Sequence, residues 1–179
     1  KALSKPQYTL IVVGRNRRNN GRVIDGLGGN ILHGWWGNRA GVFYQQGWIT
    51  NVGRGSPNAW HVMAANNGGK AFMDSTQVGS NNHQGKTPSQ WTINWGASNK
   101  HEWTNSDIAE IMFYSRRLSS AEMIKVSDTL RAKYGIPKWF ETRKISTKLN
   151  DSGQGNSVYL DRHTINCGKG IISQFKLNN

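Results

Sequence analysis

Ten acidic side chains are available for acid–base chemistry in this chain of 179 residues, and their spacing is the first test of it. A retaining glycosidase needs two carboxylates about 5 Å apart, which a single strand supplies from positions two or four apart on one face. No E-x-D-x-x-E run occurs. Asp107 and Glu110 come nearest, in SDIAE, but three residues apart on a strand they are expected on opposite faces. Glu110 therefore reads as a structural carboxylate, satisfied by an arginine or by backbone amides.

The other routes to catalysis are equally bare. A lyase needs a His, Tyr or Lys base beside a group that neutralises a carboxylate, yet His33, His61, His83, His101 and His163 are dispersed. There is no G-x-S-x-G elbow, no Walker loop and no G-x-G-x-x-G fingerprint. Calcium calls for a shell of oxygens that usually includes several carboxylates, whereas Asp25, Asp74 and Asp107 stand alone in sequence and read as turn caps. Cys167 is the single cysteine, either an ordinary buried thiol or one that pairs outside the chain. The expectation is no catalysis, no metal and no cofactor.

What remains is recognition by rings, amides and cations. The chain carries eight Trp, and GNILHGWWGNRAGVFYQQGWIT (29–50) holds three of them with a Phe and a Tyr. A glycan site pairs an aromatic face, which meets the apolar side of a sugar, with amide or guanidinium donors. Trp35, Trp36, Asn38, Arg39, Tyr44, Trp48 and Trp103 are the candidate ligand-binding residues. The alternative is that these rings fill a core or face a neighbouring subunit. Trp35 and Trp36 are adjacent, so on a strand one of them must point away from the core.

The formal net charge of +13 points to anionic partners, whether acidic proteins, anionic glycans, acidic lipid or nucleic acid. No helix-turn-helix, zinc-finger or ribonucleoprotein signature accompanies it, so sequence-specific nucleic-acid recognition is not expected. Arg15, Arg17 and Arg18 form the densest cluster, in GRNRRNNGR. It reads as a charged hairpin tip, or as a contact for a phosphate, a sulfate or a partner protein. No apolar run approaches the ~20 residues of a membrane span. The chain starts without Met or a signal peptide, and is expected to be a piece of a longer protein.

The elements that must position these residues are mostly strands. YTLIVVG (8–14) is a continuous β-branched run, expected to be buried on both faces, and NRRNNG after it reads as a turn. RVIDG, NILHGWW and AGVFYQQGWIT follow as short strands punctuated by glycine. AWHVMAANNGGKAFMDSTQVG suggests a hairpin of 59–65 with 70–78. In 91–95 Trp91, Ile93 and Trp95 should share a face, opposite Thr92 and Asn94. In SDIAEIMFYSR, Ile108, Glu110, Met112 and Tyr114 should oppose Ala109, Ile111 and Phe113. One helix stands out near 120–134: Ser119 and Glu122 form a capping box. Leu118 and Met123 form a hydrophobic staple, and Met123, Val126, Leu130 and Tyr134 make one stripe. Gly135 and Pro137 end it. This element pattern predicts an all-β, two-sheet antiparallel sandwich with one C-terminal-side α-helix.

The order of these motifs has a likeness. SDIAEIMFYSRRLSSAEMIKVSDTLRAKYGIP resembles the C-terminal signature of laminin-G-like, concanavalin-A-like jelly-roll domains. There a D-I-A-E-hydrophobic-x-Y strand leads through a basic-Leu-Ser turn into a helix and K-Y-G. GRVIDGLGGNILHGWWGNRAGVFYQQGWIT is similar to the matching strands of a subset seen in algae and in large DNA viruses that infect them. The resemblance covers about residues 7–137 and implies an antiparallel jelly-roll sandwich with non-catalytic binding of glycans or proteins. It sets the domain at 1–137, with 138–179 as a linker plus a short β element that could begin a further domain. It also implies a structural or adhesive role in a larger assembly, as a minor capsid or surface protein of a virion or in an extracellular protein. The rivals are a lectin-like carbohydrate-binding module and, behind it, a polysaccharide-degrading enzyme.

Overall fold

A computed structural model describes residues 7–18, 21–45, 47–50, 53, 55–81, 88–94 and 102–138, all within a unit spanning Lys1–Glu141. The expectations for 139–179, including Cys167, lie outside the described residues.

The largest layer is a five-stranded antiparallel sheet, in the order β10 (Asn105–Tyr114), β1 (Thr9–Arg18), β6 (His61–Asn66), β7 (Lys70–Met73), β8 (Thr76–Ser80). β1 reads as a continuous apolar run because both of its faces are covered. Leu10 and Val12 join the sandwich core with Met63, Ala65, Ala71, Met73 and Val78. Ile11 and Val13 point the other way, to Val62, Ala64, Phe72 and the helix α1 (Ser120–Tyr134). The opposing layer comprises β2 (Ile24–Leu27) paired with β9 (Gln90–Ile93), and β3 (Ile31–Trp36), β4 (Arg39–Gln45) and β5 (Trp48–Thr50) in that order. It contributes Ile24, Trp35, Ala40, Phe43 and Ile49 to the sandwich core. The expected all-β sandwich with one helix is the architecture observed.

The helix has the ends the sequence announces. Ser119 accepts from the Glu122 amide at 3.2 Å and the Glu122 carboxylate accepts from the Ser119 amide at 2.8 Å, closing the capping box. Gly135 takes the left-handed conformation that ends the helix. Leu118, Met123 and Leu130 are buried against the outer face of the large sheet, with Val126 and Tyr134 partly so.

Four details differ from the sequence expectation. β1 continues as a strand through Arg18, so the arginines stand on a strand rather than on a turn. The 59–78 hairpin has a second turn, at Asp74–Ser75, with φ of 49° and 70°, the positive values a two-residue hairpin turn requires. In β9, Thr92 is buried while Ile93, on the face expected to be apolar, is exposed; Trp91 packs partly against the core, and Trp95 lies outside the described residues.

The fourth difference is a bulge. Val13 pairs with Glu110 but Gly14 pairs with Ile108, which leaves Ala109 as an extra residue. The bulge turns Ile108 to the sandwich side, where it packs on the core, while Met112 and Tyr114 pack towards the helix. It also puts Asp107, partnered with Arg15, on the same face as Glu110, partnered with Val13. The expectation of opposite faces fails because the period of two holds only along an unbroken strand.

Candidate functional site

The described carboxylates are all engaged, and each has a basic partner. Asp107 accepts from Arg15 Nε and Arg17 Nε at 2.7 Å each. Glu110 accepts from Lys133 and from the Tyr134 hydroxyl, both at 2.8 Å. Glu122 pairs with Arg116, and Asp128 with Arg131. Glu102 is bonded to the Arg22 Nε, and Asp25 lies 3.6 Å from the same guanidinium. Asp74 accepts from His61 Nδ1 at 2.6 Å and from the Val62 amide at 2.8 Å.

These partners set the acidities. Hydrogen bonds from the two arginines, Arg15 foremost, hold the Asp107 carboxyl below its usual range. Lys133 and Tyr134 do the same for Glu110, and Arg116 with the Ser119 cap takes Glu122 down to about 2. A general acid needs the opposite shift. Asp107 and Glu110 share a face, yet each is committed to its own donors, Asp107 to Arg15 and Arg17 and Glu110 to Lys133 and Tyr134.

The histidines are spent in the same way. His33 is buried on the inner side of β3, its Nε2–H donating to the Met63 carbonyl and its ring meeting Phe43 edge-on at 5.1 Å. Burial pushes its pKa down to about 4. His61 is held between Asp74 and the Ser56 carbonyl. The remaining three lie outside the described residues. No group of three or more His, Cys, Asp or Glu that could hold a metal occurs among the described residues.

The candidate rings divide. Trp35 is 1% exposed and belongs to the sandwich core, so it leaves the set of surface residues. The β3–β4 ladder explains this: Ile31, His33 and Trp35 face inward in turn, and a bulge at Gly41 keeps Trp35 opposite Ala40. Trp36 is the outward ring. It is half-buried, opposite Arg39 beside the Gly37–Asn38 turn, with the Arg22 guanidinium 5.9 Å from its centre. Asn38 and Arg39 are exposed.

At the other end of the same hairpin, Tyr44 and Trp48 pair across β4–β5 and meet edge-on at 5.1 Å. Trp48 is 47% exposed and joins neither core cluster. Its position is fixed by its own ladder and by Asn81, whose Nδ2 donates to the Trp48 carbonyl at 2.8 Å. Trp103 is 65% exposed. Its neighbour Glu102 binds Arg22 through both side chain and backbone, which brings the Trp103 segment to the Arg22 cation that also meets Trp36.

Sequence reasoning missed Arg22. It lies nearly buried and donates to Asn30 Oδ1 and the Ile31 carbonyl at 2.6 Å each, besides Glu102. A guanidinium among three acceptors and under a tryptophan ring is a fixed strut. Its partner Glu102 is 80 residues away, and nothing local in the sequence signals the pair. Arg15 and Arg17, expected as an anion or partner contact, converge on Asp107, and Arg15 also lies 5.0 Å from the centre of the Trp60 ring. The Arg18 side chain lies outside the described residues.

No family model and no curated protein matches the sequence. A solved structure shares its fold. A mutant of Trypanosoma rangeli sialidase displaying trans-sialidase activity aligns over 72% of this chain with a TM-score of 0.51 and 14% identity. Trypanosoma rangeli sialidase itself aligns over 72% at a TM-score of 0.43 and 18% identity. The binding domain of botulinum neurotoxin DC, in complex with SialylT, aligns over 70% at 0.47 and 14%. The chain spans 23% of the length of these sialidases and 36% of that toxin chain. The likeness is one of fold, a β-sandwich.

Proposed function

We propose that this chain is a non-catalytic adhesive module that binds glycans through rings fixed on the outer side of the β3–β4–β5 sheet. The observation that carries this reading is the Tyr44–Trp48 pair. A large indole, about half exposed, met edge-on by the Tyr44 ring and with its backbone held by Asn81, offers an apolar face for a sugar at little further cost in side-chain entropy. The non-catalytic part rests on the described carboxylates, each of them engaged by an arginine, a lysine or, for Asp74, the His61 ring, with Asp107, Glu110 and Glu122 made more acidic. With the carboxylates so neutralised, the surplus of +13 favours anionic over neutral glycans and acidic faces of neighbouring proteins.

The setting that suits this reading is the surface of a larger assembly, an extracellular protein or a virion, as the laminin-G-like motifs imply. No described helix is long and apolar enough to cross a membrane.

The test is a glycan array probed with the chain and with its Trp48→Ala variant. The expected result is a set of bound saccharides whose affinity falls about tenfold or more in the variant, with thermal unfolding little changed because Trp48 lies outside both cores. An array with no ligand, or a variant that binds as the original does, overturns the proposal.

A further inference from the structure

Asp107 is oversupplied with cations. One arginine would neutralise it, yet Arg15 and Arg17 each donate Nε to the same oxygen, Oδ2, at 2.7 Å. The two side chains alternate from one strand, β1, and reach a carboxylate on the paired strand β10. Each spends its Nε–H on Asp107. A guanidinium is a planar fork whose remaining N–H groups suit a second, bidentate anion.

The site is held from several sides. Arg15 rests on the Trp60 ring, 5.0 Å from its centre, and Trp60 packs partly against the helix-side core. The Asn16 amide, between the two arginines, donates to the Pro57 carbonyl at 2.8 Å, tying the loop before Trp60 to the same stretch of β1. The arginine side chains remain about one-third and one-half exposed. Two like charges beside one carboxylate repel each other, and the arrangement carries a residual positive charge that a second anion would balance.

We infer that Arg15 and Arg17, aligned by Asp107 and backed by Trp60, form an oxyanion-binding fork for a sulfate ester or carboxylate carried by a glycan. This rests on the glycan-binding reading above and adds a second contact point, on the opposite layer of the sandwich from Trp48. The shared chemistry is a flat or tetrahedral oxyanion taken by paired Nη donors.

The experiment uses the full chain, its Arg15→Gln/Arg17→Gln variant and its Asp107→Asn variant. The probes are a chondroitin sulfate hexasaccharide, the unsulfated chondroitin hexasaccharide and neutral chitohexaose. The double variant is expected to bind the sulfated probe about tenfold more weakly, with a shallower dependence on salt, and to bind chitohexaose as the original chain does. Asp107→Asn, which keeps a hydrogen-bond acceptor but removes the competing charge, is expected to bind the sulfated probe as tightly or more tightly. Unsulfated chondroitin tells a sugar carboxylate from a sulfate as the group recognised.

Sulfated-probe binding unchanged in the double variant, or lost in Asp107→Asn with the fold intact by circular dichroism, overturns the fork and leaves the Trp48 surface standing. If the chain binds no saccharide, the glycan reading fails. The fork is then decided by titrating inorganic sulfate against chloride at matched ionic strength and following the Arg15 and Arg17 Nε–H signals by NMR. Shifts with sulfate alone support it, and their absence removes it.

Discussion

His33 makes the fold sensitive to acid in a window where the carboxylates contribute little. The ring is fully buried between Phe43 and the Met63 carbonyl, and burial lowers its pKa from 6.5 to about 4. A base whose folded pKa is depressed takes up protons in the unfolded state first, so stability rises with pH between the two values and is lost as pH falls from about 6.5 towards 4. With these two values the loss between neutral pH and pH 5 is about 2 kcal/mol, a sizeable share of the ~5–15 kcal/mol of an ordinary domain. The depressed carboxylates act lower. Glu122, taken from 4.5 to about 2, contributes stability above its unfolded value that disappears as pH falls through 2. Urea unfolding at pH 7, 6 and 5 reads the difference, with His33→Gln as the comparison because the amide still donates to Met63 but does not titrate. The variant's stability curve should be flatter than the original's by about 2 kcal/mol over this range. Parallel curves would refute the assignment of the acid sensitivity to His33.

Trp35→Ala and Trp36→Ala should separate sharply despite being neighbours. The first opens a cavity in the sandwich core and costs about 3–5 kcal/mol, while the second removes a half-buried ring and costs less than half of that in the same chemical denaturation assay. Asp74→Ala strands the His61 imidazole and the Val62 amide, both buried, and is expected to lower stability by about 3 kcal/mol or more, read as a fall in Tm. Ser119→Ala removes one arm of the capping box at a cost of about 1 kcal/mol. Helix-side amides should then exchange faster than those of β3 and β4 in hydrogen-exchange mass spectrometry.

The parts of this fold legible in sequence are those whose cause is local. YTLIVVG announces a strand covered on both sides because its LIVV run puts apolar residues on both faces in turn, and β1 is covered by the sandwich core and by α1. Ser119 with Glu122 specifies one helix end and Gly135 the other, each from residues at that end alone. Alternation also required that Trp35 and Trp36 face opposite ways. It did not say which ring is outward, because that depends on the bulge at Gly41 and on Gly34, whose φ of 93° lets β3 pass close to Met63. The bulge at Ala109 reversed the expected facing of Ile108 and of Asp107 relative to Glu110 for the same reason: one inserted residue shifts every side chain beyond it. The Arg22–Glu102 and Arg15–Asp107 pairs join residues 80 and 92 positions apart, and only the assembled sheets bring them together.

The central claim, that rings fixed on the β3–β4–β5 sheet bind sugar, is tested most directly by the tryptophan indole N–H signals. A titration with an array-selected saccharide, followed by heteronuclear NMR, should move the Trp48 signal in proportion to ligand bound. Trp35, sealed in the core, should stay where it is. A saturating titration in which Trp48 does not move, or in which Trp35 moves as much as Trp48, would contradict the account.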